Sequence, residues 1–465
     1  IHSRRRLMAN YQTRIRGGQV YLGGQLAVAD LLIDEGRIVG IVDRDNGTDA
    51  VEEIDATDRL VLPGIIDTHA HTREPGYTHK EDFLSASKAG AAGGVTTMID
   101  MPNVEPPTDT VQTFLDKRER ADATSILDFG HWVAGTNIGE IPALAEAGAT
   151  GFKIFQVSGA YPHDPRLAMN DEASLLRAMR AVETTGLPLH IHPFNQSLFE
   201  QLSEEAFAAG KPPNWYTFGE VYTTDAIWHT AVNTLLNLQR LTGVRLNLVH
   251  THSGGSLKLI RAAKAAGQRV TASVDPKYYH LTRDDLMRLK GRACPGGFIT
   301  EDPERMEEIW RSLNDGTIDS IDADHAPHTL EELEAMETDA WHAAMGSPQY
   351  DWQYTITLTD VNAGKLSLRR AVELLSEAPA RMLGIFPRKG VLLPGSDADL
   401  VLVDLDRQMT LTDDGLHTKV GWTPYLGWKV QGYVELTMLR GAVIARDREI
   451  VGEPGYGRYI GGVAQ

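Results

Sequence analysis

The run Pro63-Gly64-Ile65-Ile66-Asp67-Thr68-His69-Ala70-His71 reads as an apolar strand that ends in two histidines. Residues i and i+2 of a strand share a face, so His69 and His71 project together where the strand runs out. Two imidazoles so placed can hold one metal ion. Extended back to Leu62, this strand is the first of eight short apolar runs along the chain: Leu62–His69, Val95–Asp100, Ile126–Val133, Gly151–Phe155, Leu187–His192, Arg245–His250, Arg269–Val274 and Ser320–Asp324. Most are separated by stretches with helical spacing, long enough for a crossover helix. Thr110–Ala121 is one, with Asp109 as its expected N-cap and Val111, Phe114 and Leu115 facing inward. Ser367–Leu383 is another, with Val372, Leu375 and Met382 inward and Gly384 as its stop. Strand–helix units repeated over residues 61–387 predict an α/β fold, a (β/α)8 TIM-like barrel.

The flanking segments carry strands of another kind. Gln19–Leu22, Leu31–Ile33 and Ile38–Val42 are separated by turn residues such as Asp34-Glu35-Gly36. Leu400–Val403 follows the turn Pro394-Gly395-Ser396-Asp397-Ala398-Asp399. Residues 9–60 and 388–465 are therefore expected to pair into one small β-sandwich domain built from both chain ends. Residues 1–8 read as vector-derived, with the natural start at Met8.

A chain of 465 residues, 42% hydrophobic and 23% charged, has a globular composition, which excludes disorder and collagen-like repeats. The single cysteine, Cys294, excludes an internal disulfide and suits a reducing, cytoplasmic setting. A net charge of −18 argues against nucleic acid or an anionic membrane as partner. No apolar run reaches the length of a membrane span. The acidic surface and the β domain suit a homo-oligomer, a dimer or tetramer.

Further chemistry gathers at the strand ends. Lys153 sits inside the apolar run Gly151-Phe152-Lys153-Ile154-Phe155, where an ammonium is costly to bury unless something pairs with or consumes its charge. His190 and His192 share a face of the fifth strand, and His250 and His252 repeat that arrangement on the sixth. Asp324 opens Asp324-His325-Ala326-Pro327-His328 where the eighth strand ends. All fall at C-terminal strand ends, where barrel active sites assemble.

Together these motifs resemble the amidohydrolase superfamily, and within it the cyclic-amide branch of dihydroorotases, allantoinases and hydantoinases. The likeness extends to Pro379-Ala380-Arg381, to Gly395-Ser396-Asp397-Ala398-Asp399-Leu400 and to Gly421-Trp422-Thr423-Pro424-Tyr425. The resemblance implies two divalent metal ions, zinc by ligand type. His69, His71 and Asp324 would bind one, His192 and His250 the other, and an N-carboxylated Lys153 would bridge both. Carboxylation would turn a costly buried cation into an anionic ligand with two oxygens. The preference for His192 over His190 and for His250 over His252 comes from the family register; spacing alone leaves each pair interchangeable. The implied reaction is metal-assisted hydrolysis of a small cyclic amide, with Asp324 carrying a proton from the attacking water to the departing ring nitrogen.

In dihydroorotases the residues matching Arg73, Asn103 and His328 hold the substrate's carboxylate, so a dihydroorotase-like activity is the first expectation. An allantoinase or a hydantoinase/dihydropyrimidinase-type activity is the alternative, and a catalytically inactive scaffold of the same family is the alternative of another class. The chain departs from the dihydroorotase pattern at Ala293-Cys294-Pro295-Gly296-Gly297-Phe298, which replaces Asn-Pro-Pro-Leu-Arg. It departs from the hydantoinase pattern at Gln156-Val157-Ser158-Gly159, which lacks a tyrosine, and from the allantoinase pattern at Arg73, where asparagine is usual. Trp215, Tyr216 and Trp228, between the fifth and sixth strands, are expected to pack, or else to line a pocket for a bulkier ring. His79, His163, His229 and His417 read as solvated or packing residues.

Overall fold

In a computed structural model, which describes residues 11–44, 48–158 and 164–462, the chain begins with a sheet and not with the barrel. The reading of residues 1–8 and the position of His163 lie outside the described residues. β1 (Tyr11–Leu22), β2 (Gln25–Asp34) and β3 (Arg37–Val42) form an antiparallel meander. β4 (Ala50–Asp55) and β5 (Leu60–Pro63) both return parallel to β1. β4 exposes Val51, Glu52 and Glu53 in succession, so it lacks the alternation that would reveal a strand in the sequence.

Eight parallel strands follow: β6 (Ile65–Ala70), β7 (Val95–Asp100), β8 (Asp128–Ala134), β9 (Gly151–Phe155), β10 (Leu189–His192), β11 (Leu246–Leu248), β12 (Val270–Val274) and β13 (Ser320–Ile321). Each pairs with the next, and a parallel bridge between Ala70 and His325 closes the ring. There His71 N donates to His325 O at 2.8 Å and His325 N donates to His69 O at 3.3 Å. Closure is thus made by the segments that carry the histidine pair and Asp324. The first five of these strands are buried along their whole length, as a parallel sheet covered on both faces requires.

Two helices differ from expectation. The helix Val111–Thr124 is capped by Thr110, not Asp109: Thr110 and Thr113 exchange side-chain-to-backbone hydrogen bonds in a capping box. Its buried face is Phe114, Lys117 and Ala121, whereas Leu115 is 43% exposed. Lys117 occupies an apolar position because its ammonium pairs with Asp100 at the end of β7 and donates to Met101 O at 2.5 Å. The helix expected over Ser367–Leu383 is interrupted: a π turn, Glu373–Glu377, joins Leu368–Val372 to Ala378–Leu383, and Gly384 ends it in a left-handed conformation. Pro379 has no N–H to continue the α pattern, and the wider turn before it absorbs the mismatch. Ser376 Oγ then donates to Gly64 O at 2.9 Å, tying this helix to the start of β6.

β14 (Leu400–Thr410), β15 (Lys429–Leu439), β16 (Ala442–Arg446) and β17 (Glu449–Ile450) complete the chain. β14 pairs antiparallel with β5, so the two chain ends make one nine-stranded sheet in the order β17-β16-β15-β14-β5-β1-β2-β3, with β4 on β1. Ile15, Leu31 and Ile38 from one end share a core with Leu400, Leu436 and Met438 from the other. The expected sandwich is therefore one continuous sheet built around its own core. Only Gly64 separates β5 from β6, and a Cβ at that position would meet Thr96 at 2.2 Å. Among the described residues, no helix is long and apolar enough to cross a membrane.

Candidate active site

The strand ends bring four imidazoles together. The rings of His69 and His71 lie 5.2 Å apart, those of His69 and His250 4.8 Å, and those of His250 and His192 4.7 Å. Asp324 Oδ1 stands 3.3 Å from His69 Nε2 and 3.2 Å from His71 Nε2. Lys153, in the middle of β9, is fully buried, its Nζ has no hydrogen-bond partner, and it lies 4.7 Å from the Phe155 ring centre. Among the described residues, His69, His71 and Asp324 form one group able to hold a metal ion, and His69, His250 and Asp275 form a second. A third group, Asp128, Asp397 and Asp399, sits at the opposite end of the barrel and is already ion-paired with Lys389 and Arg440.

Burial sets the protonation states. It holds the imidazoles of His69 and His190 well below their ordinary value, with Lys153 pushing the same way, and it lowers His71 to about 4. These rings are neutral near pH 7 and keep a lone pair to offer a cation. Burial also pushes the Lys153 amine down to about 7, against the pull of Asp324, Asp275 and Asp322. Burial opposes the charge of Asp324, but Lys277, His69 and His71 outweigh it and hold the carboxyl well below its usual range. Buried polar atoms without a partner are rare in folded proteins, and Lys153 Nζ and His69 Nδ1 are both of that kind. Neutral imidazoles, an ionised carboxylate and an unpaired amine at one point form a donor set that fits divalent cations.

Neighbours fix the rings. His71 Nδ1 donates to Asn103 Oδ1 at 2.8 Å and His250 Nδ1 donates to Asp275 Oδ2 at 2.5 Å, which directs both Nε2 atoms inward. Tyr222 donates to His192 Nε2 at 3.3 Å, and the His192 ring stacks on Trp228. Arg73, His250 and Asp324 have φ of 63°, 55° and 46°. Such conformations persist in non-glycine residues where the surroundings impose them, and they cluster at functional sites.

Arg73 and Asn103 line the pocket beside these groups. Arg73 Nε donates to Pro327 O at 3.1 Å. His328 stands behind Arg73 and is not on the pocket wall: its Nε2 accepts from Arg73 Nη2 at 2.9 Å, and its Nδ1 lies 3.5 Å from Glu332. In this structure its ring supports the guanidinium. His190 accepts from Asn247 at 2.7 Å and stacks on Trp132, and His252 accepts from Arg305 at 2.6 Å, so each is held by its own neighbours off the wall. Trp215 and Tyr216 pack in the aromatic cluster around the excursion, while Trp228 reaches His192. Pro295, within the segment that departs from the dihydroorotase pattern, still lines the pocket.

Asp275, Lys277, Tyr278 and Tyr222 also belong to the site, and sequence reasoning passed over them. The first three closely follow Val274, the end of β12, so the strand-end rule that selected Asp324 would have found them. The pocket itself is about 40 Å³. Through Tyr222 and Met345 it adjoins a cavity of about 530 Å³ walled by Phe194, Phe199, Phe207, Phe218 and Trp341.

A strand-end cluster of this make-up on a closed parallel barrel defines a class of hydrolase, and comparison with known proteins agrees. Residues 60–444 match the amidohydrolase family, and the chain belongs to it. It is a cyclic amidohydrolase of the hydantoinase, allantoinase and dihydroorotase type. An L-hydantoinase of Paenarthrobacter aurescens is 32% identical over 440 residues, 93% of this chain and 94% of the relative. An allantoinase of Deinococcus radiodurans is 34% identical over 436 residues, covering 92% and 93% of the two chains. A dihydroorotase of Lactobacillus delbrueckii subsp. bulgaricus is 32% identical over 447 residues, covering 93% and 98%. The solved structure of L-hydantoinase (dihydropyrimidinase) from Arthrobacter aurescens superposes with a TM-score of 0.91 at 30% identity, over 97% of this chain and 100% of that one.

Proposed function

We propose that the chain opens the ring of a cyclic amide at a binuclear centre, zinc by ligand type. His69, His71 and Asp324 would hold one ion, His192 and His250 the other, and an N-carboxylated Lys153 would serve both. The observation that carries this reading is the fully buried, unpartnered Lys153 amine beside a cluster of neutral imidazoles. Two divalent ions bound there would supply an activated water and polarise the amide carbonyl. Asp324 enters the reaction ionised, takes the water's proton and delivers it to the departing ring nitrogen. Arg73 and Asn103 hold a carboxylate on the substrate, as in dihydroorotate, a task that suits a guanidinium already steered by His328.

A second reading, a hydantoin- or allantoin-type ring bearing a bulky substituent, is supported by the aromatic cavity of about 530 Å³ next to the pocket. Metal analysis of protein purified without chelator is expected to return about two ions per chain, and Lys153→Ala to abolish turnover. Activity of the metal-replete protein is then compared on dihydroorotate, allantoin, hydantoins, dihydrouracil and cyclic imides. A metal content near zero refutes the centre. A clear preference for uncharged rings assigns Arg73 to structure and selects the second reading.

A further inference from the structure

The seventh barrel strand supplies none of the ligands named above, yet the turn at its end touches the centre twice. β12 stops at Val274, Asp275 follows, and Pro276–His280 form a single helical turn. Asp275 Oδ2 accepts from His250 Nδ1 at 2.5 Å. Two residues later, Lys277 Nζ pairs with Asp324 Oδ2. The two oxygens of Asp324 are thereby divided: Oδ1 faces His69 and His71, and Oδ2 is taken by the ammonium. Both partners of this turn are residues with left-handed backbone, His250 at φ 55° and Asp324 at φ 46°. The turn itself is buried, Asp275 completely and Lys277 to within 4%.

We propose that Asp275-Pro276-Lys277 is a bracket that sets the orientation of His250 with one arm and of Asp324 with the other, and that Lys277 is a positioning residue for the Asp324 carboxylate. By occupying Oδ2 it leaves Oδ1 alone to serve the metal side, and it keeps the carboxylate from turning both oxygens toward a cation. A carboxylate free to rotate would bind more symmetrically and present its proton-carrying oxygen at the wrong angle. This inference rests on the reading of Asp324 as both ligand and proton carrier.

The test uses the cobalt-loaded holoenzyme and its Lys277→Met, Lys277→Arg and Lys277→Ala variants. Lys277→Met is expected to keep the wild-type metal content, to change the visible cobalt absorption bands, and to lose about 10- to 100-fold in kcat with KM little altered. Lys277→Arg, which keeps the charge, is expected to recover part of the loss. Added ethylammonium is expected to raise the kcat of Lys277→Ala but not of Lys277→Met, whose side chain fills the space. Wild-type kcat with unchanged cobalt bands in Lys277→Met would overturn the proposal, as would a defect confined to KM, which would make Lys277 a substrate-binding group. Should Lys277→Met not fold, the ethylammonium response of Lys277→Ala decides, and no response overturns the bracket. Failure of the underlying reading looks different: wild-type protein without bound metal, or Lys153→Ala with full activity.

Discussion

Replacing Lys153 with methionine tests the electrostatics of the centre without any metal. Burial lowers the amine from 10.5 to about 7 in the folded state. Between those two pH values the unfolded chain binds a proton that the folded chain has lost, so stability rises with pH across the window. At about 1.36 kcal/mol per pH unit, the whole difference corresponds to about 5 kcal/mol, and the rise from pH 7 to pH 9 to about 2 kcal/mol. Methionine matches the stem of lysine and carries no charge, so the variant has no such dependence at this position. The assay is urea denaturation of chelator-treated protein in carbonate-free buffer, wild type against Lys153→Met, at pH 7 and pH 9. The variant is expected to be the more stable at pH 7, by about 4 kcal/mol, and the gap to narrow by about 2 kcal/mol at pH 9. A gap that is the same at both pH values would refute the reasoning, because it would mean that the folded protein does not shed this proton near neutrality. The same titration predicts that, at a fixed concentration of dissolved carbon dioxide and with divalent metal supplied, metal-depleted enzyme regains activity faster at pH 8 than at pH 6, since the neutral amine is the form that adds carbon dioxide.

Lys117→Met leaves the Asp100 carboxylate buried without its counter-ion and should destabilise the protein by about 3–5 kcal/mol, read as a lower thermal midpoint; adding Asp100→Asn should recover part of the loss. Arg73→Lys loses the planar fork and should raise KM for a carboxylated ring about tenfold or more, leaving KM for an uncharged ring unchanged in the same steady-state assay. Trp341→Ala removes one wall of the aromatic cavity and should lower kcat/KM for an aryl-substituted hydantoin by about 10- to 100-fold, while that for unsubstituted hydantoin stays put.

The barrel was legible because its strands are buried on both faces and therefore appear as unbroken apolar runs; Val95–Asp100 and Gly151–Phe155 have the same bounds in sequence and structure. Lys153 was legible for the complementary reason, a charge where such a run forbids one. Leu115 and Lys117 were not, because an ion pair to Asp100 lets Lys117 share the buried face with Phe114 and turns Leu115 outward. The π turn at Glu373–Glu377 is a local answer to Pro379 that leaves no trace in hydrophobic spacing. At the site, the resemblance to dihydroorotases gave His328 a place at the substrate's carboxylate, but no spacing along the chain could show that its ring also supports the Arg73 guanidinium. Asp275 and Lys277 escaped because neither is isolated in an apolar run; their importance lies in what they touch across the barrel, with His250 25 and Asp324 47 positions away along the chain.

The accessory sheet and the barrel have Gly64 alone between them, and Thr96 leaves no room there for a side chain. A single extended backbone therefore runs from the outer sheet to His69, with no loop in which slack could collect. Any force that displaces the outer sheet, whether a fusion partner, a neighbouring subunit or an engineered insertion in β14, is delivered along that rod to the His69 ring. Reshaping the periphery of this enzyme is thus a way of tuning its centre, and a graft of the barrel onto another scaffold would have to carry the sheet along.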